Sequence, residues 1–256
     1  MTAQNDRWAG DLWERANSVN HLMEKRATGE LPEMEASIYL AKLVGESFAE
    51  GETLLDAGSG PGHFLRSFKF LPEKDYTGID ISPALVEAGK RYFPEAEFLV
   101  GAVEGLSDLG RKFDHVVCSN VLPHVEQLVP ALRSLAAVTR RRLYLRTMIG
   151  DQTLLIRHVH NRNGFGGITD IEPSDEIDEA NVPREYHNFN IYSRDIVARF
   201  LRDFGARKVD IFDDVYFDPN KIASEKNASP RATRIVDGRM VAHNIICPWS
   251  YAIADF

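Results

Sequence analysis

The chain is poor in cysteine, in long apolar stretches and in excess positive charge. Its 256 residues include only Cys118 and Cys247, which cannot build a disulfide framework and indicate a reducing compartment. No apolar run approaches the roughly 18–20 residues of a membrane span, and the first residues lack the basic-then-apolar layout of a signal peptide. We therefore expect a cytoplasmic protein with no membrane association.

Basic side chains are also in the minority, with 30 Lys and Arg against 38 Asp and Glu, a formal net charge of −8. Such a surface repels a polyanion unless its basic residues are strongly segregated. The sequence contains no repeat of 20 to 50 residues and no low-complexity segment, which excludes solenoid architectures. Nucleic acid is accordingly a disfavoured partner.

From Thr53 onward, short apolar runs alternate with patterns of helical spacing. The strand-like runs are TLLDA, YTGIDI, AEFLVGA, FDHVVCSNVL and LYLRTMI, and the helical ones between them are HFLRSFKFL, SPALVEAGKRYF and VPALRSLAAVT. This alternation predicts an α/β fold, with a doubly wound, mostly parallel sheet and helices on both faces.

The last part of the chain is predicted to contain one more helix and two strands. Ser193 is the predicted N-cap of the helix RDIVARFLRDF, and Gly205 is expected to end it. RKVDIFDDVYF and RMVAHNIICPW are predicted to pair antiparallel as a closing hairpin.

Two regions interrupt the alternation. Residues 1–48 are predicted to form a helical N-terminal cap, followed by the main domain over residues 49–256. Within that domain, residues 151–189 are predicted to form a lid insertion, because they are too polar and irregular for a sheet and include the acidic stretch from Asp170 to Glu179. The cap positions expected to be buried are Trp8, Trp13, Leu22, Ile38, Tyr39 and Leu43.

The sharpest local feature is the segment LLDAGSGPGHF, from Leu54 to Phe64. Its glycines, Gly58, Gly60 and Gly62, permit positive backbone torsions and a close approach of ligand to main chain. An NTPase phosphate loop would end in Gly-Lys-Ser/Thr, which is absent. The dinucleotide pattern G-x-G-x-x-G is absent too, Pro61 removes one amide donor, and Asp56 adds a carboxylate. The turn therefore favours S-adenosylmethionine, which has a zwitterionic amino acid end and a cationic sulfur, over linked phosphates.

The next strand ends at Asp80, 24 positions after Asp56. An acid at about this distance accepts hydrogen bonds from the two ribose hydroxyls of a bound nucleoside. Because NAD and S-adenosylmethionine both contain that ribose, this position predicts an adenosine ligand and no more.

Taken in order, DAGSGPGHF, TGIDIS, LVGAVEGL and FDHVVCSNVLPHV resemble the successive motifs of class I S-adenosylmethionine-dependent methyltransferases, in particular the small-molecule group. The resemblance covers roughly residues 50–150. It implies a Rossmann-like, seven-stranded sheet that is mostly parallel and has an antiparallel last strand.

The same resemblance implies roles for individual residues. The loop from Asp56 to Gly62, with Gly58, Ser59 and Gly60, would hold the methionine moiety, and Asp80 the ribose. Ile81 would pack against the face of the adenine, and Ala102, Val103 and Glu104 would lie along its edge. Asn120 would lie beside the cofactor. Two positions depart from the pattern: Ala102 stands where an aspartate is common, and Pro123 where a histidine is common. Adenine recognition could then depend on backbone groups or on Glu104.

Candidate catalytic residues are His124, His158 and Tyr186. His124 follows the fourth strand, where an imidazole with a pKa near 6.5 could remove a proton from the acceptor, although it could equally fix the turn. His160 is a further optional base, and His187 and Tyr192 are possible acceptor contacts. No metal is predicted, because His158 and His160 are two residues apart and no tight carboxylate–histidine cluster appears.

We therefore predict an enzyme that transfers a methyl group from S-adenosylmethionine to an O, N or C nucleophile of a small molecule. One alternative is a methyltransferase acting on tRNA or protein, which would need Arg140 to Arg142, Arg146, Arg157 and Arg162 to form one basic face. The other is an adenosine-nucleotide binding module or NAD-dependent reductase. The sequence does not predict the identity of the methyl acceptor or the oligomeric state.

Overall fold

A computed structural model describes residues 17–159, 186–215, 234–236, 239–242 and 245–256. Five α-helices occur in these ranges: α1 (Asn17–Thr28), α2 (Glu35–Gly45), α3 (Pro83–Tyr92), α4 (Leu128–Val138) and α5 (Arg194–Asp203). Short 3-10 helices span His63–Arg66, Glu73–Asp75, Val103–Leu109 and Leu122–His124. Among the helices described, none is long and apolar enough to cross a membrane.

The main sheet contains β1 (Leu54–Ala57), β2 (Tyr76–Asp80), β3 (Glu97–Val100), β4 (Phe113–Ser119), β5 (Thr139–Gly150), β8 (Tyr192–Ser193), β9 (Lys208–Asp213) and β13 (Trp249–Asp255). Seven of these strands lie in the order β3-β2-β1-β4-β5-β13-β9, and the two-residue β8 joins the end of β5. β13 runs antiparallel to both of its neighbours, whereas β1 to β5 are parallel. The predicted Rossmann-like sheet with an antiparallel last strand is confirmed.

Smaller β elements lie outside the main sheet. β6 (Arg157–Val159) and β7 (Tyr186–Asn188) form an antiparallel two-stranded ribbon, while β10 (Arg234–Val236), β11 (Arg239–Ala242) and β12 (Ile245–Ile246) form a three-stranded sheet. The ribbon occupies the two ends of the region predicted as an irregular lid. The prediction that this region contains no strand is therefore wrong at its ends, and its central part, with His160 and the acidic stretch, lies outside the described residues.

Strand side chains alternate between two cores, one on each face of the sheet. Leu55, Val116 and Leu145 join a core with α4 and α5, whereas Leu54 and Val117 join one with α2 and α3. Because both faces are covered, β1 and the end of β4 are continuously buried rather than alternating.

The predicted closing hairpin is wrong in its second strand. β9 pairs with β13, in the register Tyr251 opposite Phe212, and not with the segment RMVAHNIICPW. Most of that segment instead forms β11 and β12 in the separate small sheet. RMVAHNIICPW and β13 are both short apolar stretches, so local pattern cannot choose between them. β13 is the one buried in the gap between β5 and β9.

Two helical predictions also need correction. The segment HFLRSFKFL is helical only over the 3-10 turn His63–Arg66, although its buried residues Phe64, Leu65 and Phe68 do have helical spacing. In the N-terminal region, the predicted core residue Ile38 is 48% exposed, and Leu40 and Val44 of α2 are the buried ones. Trp8 and Trp13 lie outside the described residues.

Phe98 on β3 lies against three glycines. A Cβ added at Gly62, Gly78 or Gly89 would approach its ring to between 2.6 and 2.8 Å. Such distances are far inside ordinary contact, so these positions can hold only glycine while the ring stays in place. The packing of Phe98 thus fixes the distance between the glycine loop, β2 and α3.

Candidate active site

The carboxyl ends of β1, β2 and β4 border a cavity of about 500 Å³, a size usual for small-ligand sites. α1 covers it through Leu22, Met23 and Arg26. Of the predicted site residues, those lining the cavity are Asp56, Gly58, Ser59, Gly60, Asp80, Ile81, Ala102, Val103, Glu104, Asn120 and His124. Parallel strands bring their carboxyl ends to one edge, which explains why residues so far apart in sequence meet here.

The backbone amides of the glycine loop are engaged within the protein. Pro61 has no amide hydrogen, and the loop is followed by one short 3-10 turn rather than an α-helix whose dipole could attract an anion. The loop thus has neither of the usual features of a phosphate site. Its hydrogen bonds run from Gly58 and Ser59 to the carbonyl of Ile79 (2.7 and 2.9 Å), from Gly60 to a carboxylate oxygen of Asp80 (2.8 Å), and from Gly62 to the carbonyl of Ser59 (3.0 Å).

The three loop glycines all have positive φ, but each lies against different neighbouring side chains. A Cβ at Gly58 would collide with Cγ2 of Val121, and one at Gly62 would meet Phe98. Only at Gly60 are the nearest atoms, from Met23 and His63, as far as 3.3 Å or more. Close approach of a ligand to the main chain is thus possible at Gly60, whereas Gly62 does not line the cavity and is required by packing.

Asp56 is a buried carboxylate at the floor of the cavity. It is 2% exposed and accepts a hydrogen bond of 2.9 Å from the hydroxyl of Tyr76. Burial raises the pKa of Asp56 to about 7, against the lowering effect of that hydrogen bond. A cation in the cavity would favour the ionised form of Asp56, because it would compensate the carboxylate for its lost water.

Further carboxylates line the same space. The Asp80 carboxylate accepts from the amides of Gly60 (2.8 Å) and Ser82 (2.9 Å), which tie β2 to the glycine loop. Burial raises the pKa of Asp80, and it raises that of Glu104, which also has Glu126 nearby. With Asp56 and Glu126, these residues are the acidic side chains of the lining, and Arg26 is its only Lys or Arg within the described part of the chain.

Oγ of Ser119 and Nδ1 of His63 are buried polar atoms of the lining that have no hydrogen-bond partner among the described residues. Burial, with Arg26 nearby, lowers the pKa of His63 to about 3, so the ring is neutral at physiological pH. A buried polar atom without a partner indicates a place where a ligand can form a hydrogen bond. The sequence analysis missed both residues, although His63 directly follows the last loop glycine.

His124 ends the 3-10 turn after β4 and lines the cavity. Its Nδ1 lies 2.9 Å from the backbone carbonyl of Asn188. A carbonyl can only accept, so Nδ1 bears the hydrogen and Nε2 is the basic nitrogen of the neutral ring. Burial lowers the pKa of His124. The ring is thus neutral at pH 7 and can accept a proton at Nε2.

A polar network joins this turn to the segment before α5. The hydrogen bonds involve the amide of Asn190 and the carbonyl of Pro123 (2.8 Å), the side chain of Asn190 and the carbonyl of Val125 (3.1 Å), and the hydroxyl of Tyr192 and the carbonyl of Leu122 (3.0 Å). Tyr192 therefore supports the turn that carries His124.

The other two catalytic candidates belong to the β6–β7 ribbon. His158 pairs with His187 in the register of the β6–β7 ribbon, and the Tyr186 ring contacts the guanidinium of Arg157 at 4.7 Å. Tyr186 is not among the described residues that line the cavity, and the structure describes only the backbone of His158, so their catalytic roles stay predictions. In the described ranges, no group of three or more His, Cys, Asp and Glu residues could hold a metal ion.

The basic residues named for a macromolecular acceptor do not form one free face where the structure describes them. Arg140, Arg141 and Arg142 are ion-paired with Asp114, Glu52 and Asp255, respectively. Arg146 is buried, and Arg162 lies outside the described residues.

Residues 54–142 match the family described as "Methyltransferase domain". Over 116 residues, the chain is 36% identical to the mitochondrial ubiquinone biosynthesis O-methyltransferase of Schizosaccharomyces pombe, an alignment that covers 42% of this chain and 41% of that protein. An uncharacterized methyltransferase of the same organism is 28% identical over 137 residues, covering 49% and 48%. The chain thus aligns with less than half the length of each of these curated relatives.

Solved structures share the fold over nearly the whole chain. A methyltransferase from Clostridium acetobutylicum superposes with a TM-score of 0.55 at 12% identity and covers 93% of this chain and 98% of its own. A magnesium protoporphyrin IX methyltransferase from Synechocystis, crystallised with S-adenosylhomocysteine, has a TM-score of 0.54 at 16% identity and covers 96% of both chains.

The segment from Leu54 to Arg142 is therefore a methyltransferase domain, and the fold around it is that of class I S-adenosylmethionine-dependent methyltransferases. Such a domain is an enzyme domain.

Proposed function

We propose that the protein transfers a methyl group from S-adenosylmethionine to an O, N or C nucleophile of a small molecule. The observation that carries the proposal is the glycine loop: its amides are engaged internally, and carboxylates lie on both sides of it. This arrangement disfavours the pyrophosphate of NAD and favours a ligand with an ammonium and a sulfonium, which argues against the reductase alternative.

The residues present suit this cofactor. Asp56 and the open main chain at Gly60 would hold the amino acid end, and the unpaired Nδ1 of His63 and Oγ of Ser119 could bond to its polar atoms. Asp80 would accept from the ribose hydroxyls. Ile81 with Ala102, Val103 and Glu104 would border the adenine, which leaves Glu104 as the acid available where Ala102 replaces an aspartate.

S-adenosylmethionine supplies an electrophilic methyl group together with its leaving group. The protein's contribution is then alignment, exclusion of water and, for a protic acceptor, removal of a proton. His124 is the group that we assign to proton removal, because Nε2 is its basic nitrogen and its Nδ1–H is held by Asn188. Burial by α1 and the turn after β4 shields the cavity from bulk water.

We further propose a small-molecule acceptor in a cytoplasmic enzyme. The cavity is a pocket under α1, and the arginine triplet is neutralised by ion pairs, which disfavours RNA. Two cysteines cannot build a disulfide framework, which favours a reducing compartment. We retain the division into a cap at residues 1–48 and a methyltransferase domain at residues 49–256 as part of this proposal.

The proposal is tested by calorimetry with S-adenosylmethionine and with NADH on the same preparation. We expect binding of the former and tighter binding than of NADH; tighter NADH binding would contradict the assignment. A screen of small-molecule acceptors, read out by release of S-adenosylhomocysteine, then identifies the reaction. Transfer to tRNA or to protein without transfer to any small molecule would favour the macromolecular alternative.

A further inference from the structure

Asn120, the first residue after β4, has an unusual backbone conformation. Its φ of 64° is the only positive value at a non-glycine residue in the described ranges. Asparagine tolerates this left-handed region better than most residues, but the conformation still needs support from its surroundings. Part of that support is the hydrogen bond of 2.9 Å from the Asn120 amide to the carbonyl of Arg146 on β5.

The side chain of Arg146 supplies a second contact. Its Nη1 donates to Oδ1 of Asn120, while Nε and Nη2 bond to Asp214 at 2.8 and 2.7 Å. The guanidinium also lies over the ring of Trp249, with Cζ 4.4 Å from the centroid. Asn120, Asp214 and Trp249 thus contact the Arg146 guanidinium on three sides. These contacts fix its position before any ligand binds.

This ion pair is costly to bury. The side chains of Arg146 and Asp214 are 6% and 2% exposed, and such a pair is often less stabilising than apolar residues of the same size. Folding alone therefore gives little reason for a charged pair at this place. Its contact with a residue that lines the cavity suggests a functional reason.

The contact determines which end of the Asn120 amide meets the cavity. A guanidinium has only donors, so it must face the amide oxygen, and the NH₂ group lies in the same plane on the other side of Cγ. Asn120 lines the cavity next to Ser119 and Val121. The group it offers to a ligand is therefore a hydrogen-bond donor.

We propose that Arg146, fixed by Asp214, is a positioning residue that holds Asn120 so that its side-chain NH₂ donates to an oxygen of the methyl acceptor. This inference rests on the proposed function and narrows its acceptor to compounds with a hydrogen-bond-accepting oxygen at or next to the reacting atom. An amino group that must itself donate a hydrogen bond would meet the wrong end of the amide.

The positioning is tested without any acceptor, by NMR of the Asn120 side-chain amide in ¹⁵N-labelled protein. The signal is identified by its loss in Asn120→Asp, a variant that also tolerates positive φ and keeps an oxygen for Arg146. We expect Arg146→Met to shift this signal strongly and Arg194→Met, which removes a surface ion pair with Asp213, to leave it in place. An unmoved signal in Arg146→Met would overturn the positioning role.

Loss of the buried pair can also destabilise the fold, so a second variant separates the two effects. Arg146→Met combined with Asp214→Leu removes both charges, and we expect it to recover thermal stability relative to Arg146→Met alone. The rate of methyl transfer should stay reduced, by about a hundredfold, because Asn120 remains unsupported. A rate that recovers together with the stability would show a purely structural role.

The acceptor class is tested with a matched pair of probes, 3,4-dihydroxybenzoate and 3,4-diaminobenzoate. We expect the wild type to prefer the dihydroxy compound, and Asn120→Asp to lower the ratio of the two kcat/KM values by about tenfold or more. Preference of the wild type for the diamino compound, or an unchanged ratio in Asn120→Asp, would overturn the proposal.

Two further readouts complete the test. If neither probe is methylated, each is added to the S-adenosylhomocysteine complex, and we expect the dihydroxy compound alone to shift the Asn120 amide signal; no shift with either compound contradicts the proposal. The dissociation constant for S-adenosylmethionine is measured in parallel. If the wild type fails to bind it, the proposed function fails, whereas the amide signal still reports on the Arg146–Asn120 contact.

Discussion

The hydroxyl of Tyr76 donates a hydrogen bond to the carboxylate of Asp56, and both side chains are almost completely buried. The bond joins adjacent strands, β2 and β1, directly beneath the cavity. It lowers the pKa of Asp56, but burial is the larger effect and leaves that pKa at about 7. A carboxylate that titrates near neutrality makes stability depend on pH.

We predict that Asp56 makes the ligand-free protein less stable as the pH rises. Asp56 ionises near 3.8 when exposed and near 7 when folded, so between these values the folded state holds the extra proton. Its contribution to the free energy of unfolding therefore falls from about pH 4 to about pH 7 and stays low above that. Relative to wild type, Asp56→Asn should gain roughly 2 kcal/mol between pH 5.5 and pH 8.

The measurement is urea unfolding of both proteins at the two pH values. His63 and His115, whose pKa values burial lowers to about 3 and about 4, act in the opposite direction, since their contribution is lost as the pH falls below 6.5. They are present in both proteins, so the difference between the proteins isolates Asp56. A difference that does not change with pH would contradict the prediction.

Asp80→Ala should impair both stability and cofactor binding. The amides of Gly60 and Ser82 lose their acceptor, which we expect to lower the free energy of unfolding by about 1–3 kcal/mol. The ribose hydroxyls lose theirs as well, and the affinity for S-adenosylmethionine should fall by about 2–3 kcal/mol.

Calorimetry and thermal melting check the two effects separately. Asp108→Ala, at an exposed position away from the cavity, is the matched control and should change neither quantity. Unchanged affinity in Asp80→Ala would show that the ribose binds elsewhere.

His124→Gln separates proton removal from support of the turn. The glutamine amide can donate to the carbonyl of Asn188 as Nδ1 does, but it offers no basic nitrogen. If His124 is the base, kcat should fall by about 10²–10⁴-fold, with thermal stability near that of the wild type. Because burial lowers the pKa of His124, the acidic limb of the wild-type kcat profile should have its midpoint below pH 6.5, the ordinary pKa of histidine.

His187→Gln is the control for that experiment, because its ring lies 5.8 Å from that of His124 but does not line the cavity. Rates are followed by release of S-adenosylhomocysteine with an acceptor from the screen. Full activity in His124→Gln would show that His124 stabilises the turn after β4 and does not remove the proton.

Gly62→Ala tests the packing assigned to the third loop glycine. Gly62 and Gly51 have similar φ values, +76° and +82°, but a Cβ at Gly62 meets Phe98 whereas one at Gly51 meets nothing within 4 Å. Both alanine variants should lose about 1–2 kcal/mol through the left-handed backbone. Gly62→Ala should lose a further 1–3 kcal/mol or so by overpacking, as read by urea unfolding. Equal losses would mean that Phe98 moves aside freely.

Much of the cavity could be predicted because its residues are local to strand ends. The acids at the carboxyl ends of β1 and β2, and the run Ala102 to Glu104 after β3, are placed at one edge by any parallel sheet. Which of the loop glycines lines the cavity and which is required by packing could not be predicted in this way. Gly62 appears in sequence as a cofactor contact, but its neighbour Phe98 comes from a strand 36 residues later.

The closing strands show the same limit on a larger scale. β9 was predicted near its true position, since its pattern is local, but its partner was not. Pairing depends on which segment can be buried between two strands already in place, and this is a property of the assembled sheet. The burial of Arg146 could not be predicted for the same reason, because its buried partner Asp214 lies 68 residues away.

The amino-acid sequence by itself determines the order of strands and helices, the sharp turn after the first strand and the acids at the ends of the first two strands. It can do so because torsional preference and apolar periodicity act over a few neighbouring residues. The tertiary structure alone decided which buried carboxylate titrates near neutrality, which nitrogen of His124 is basic and which end of the Asn120 amide meets the cavity. Each of these depends on desolvation or on a hydrogen bond from a distant part of the chain, and such interactions exist only once the layers have packed.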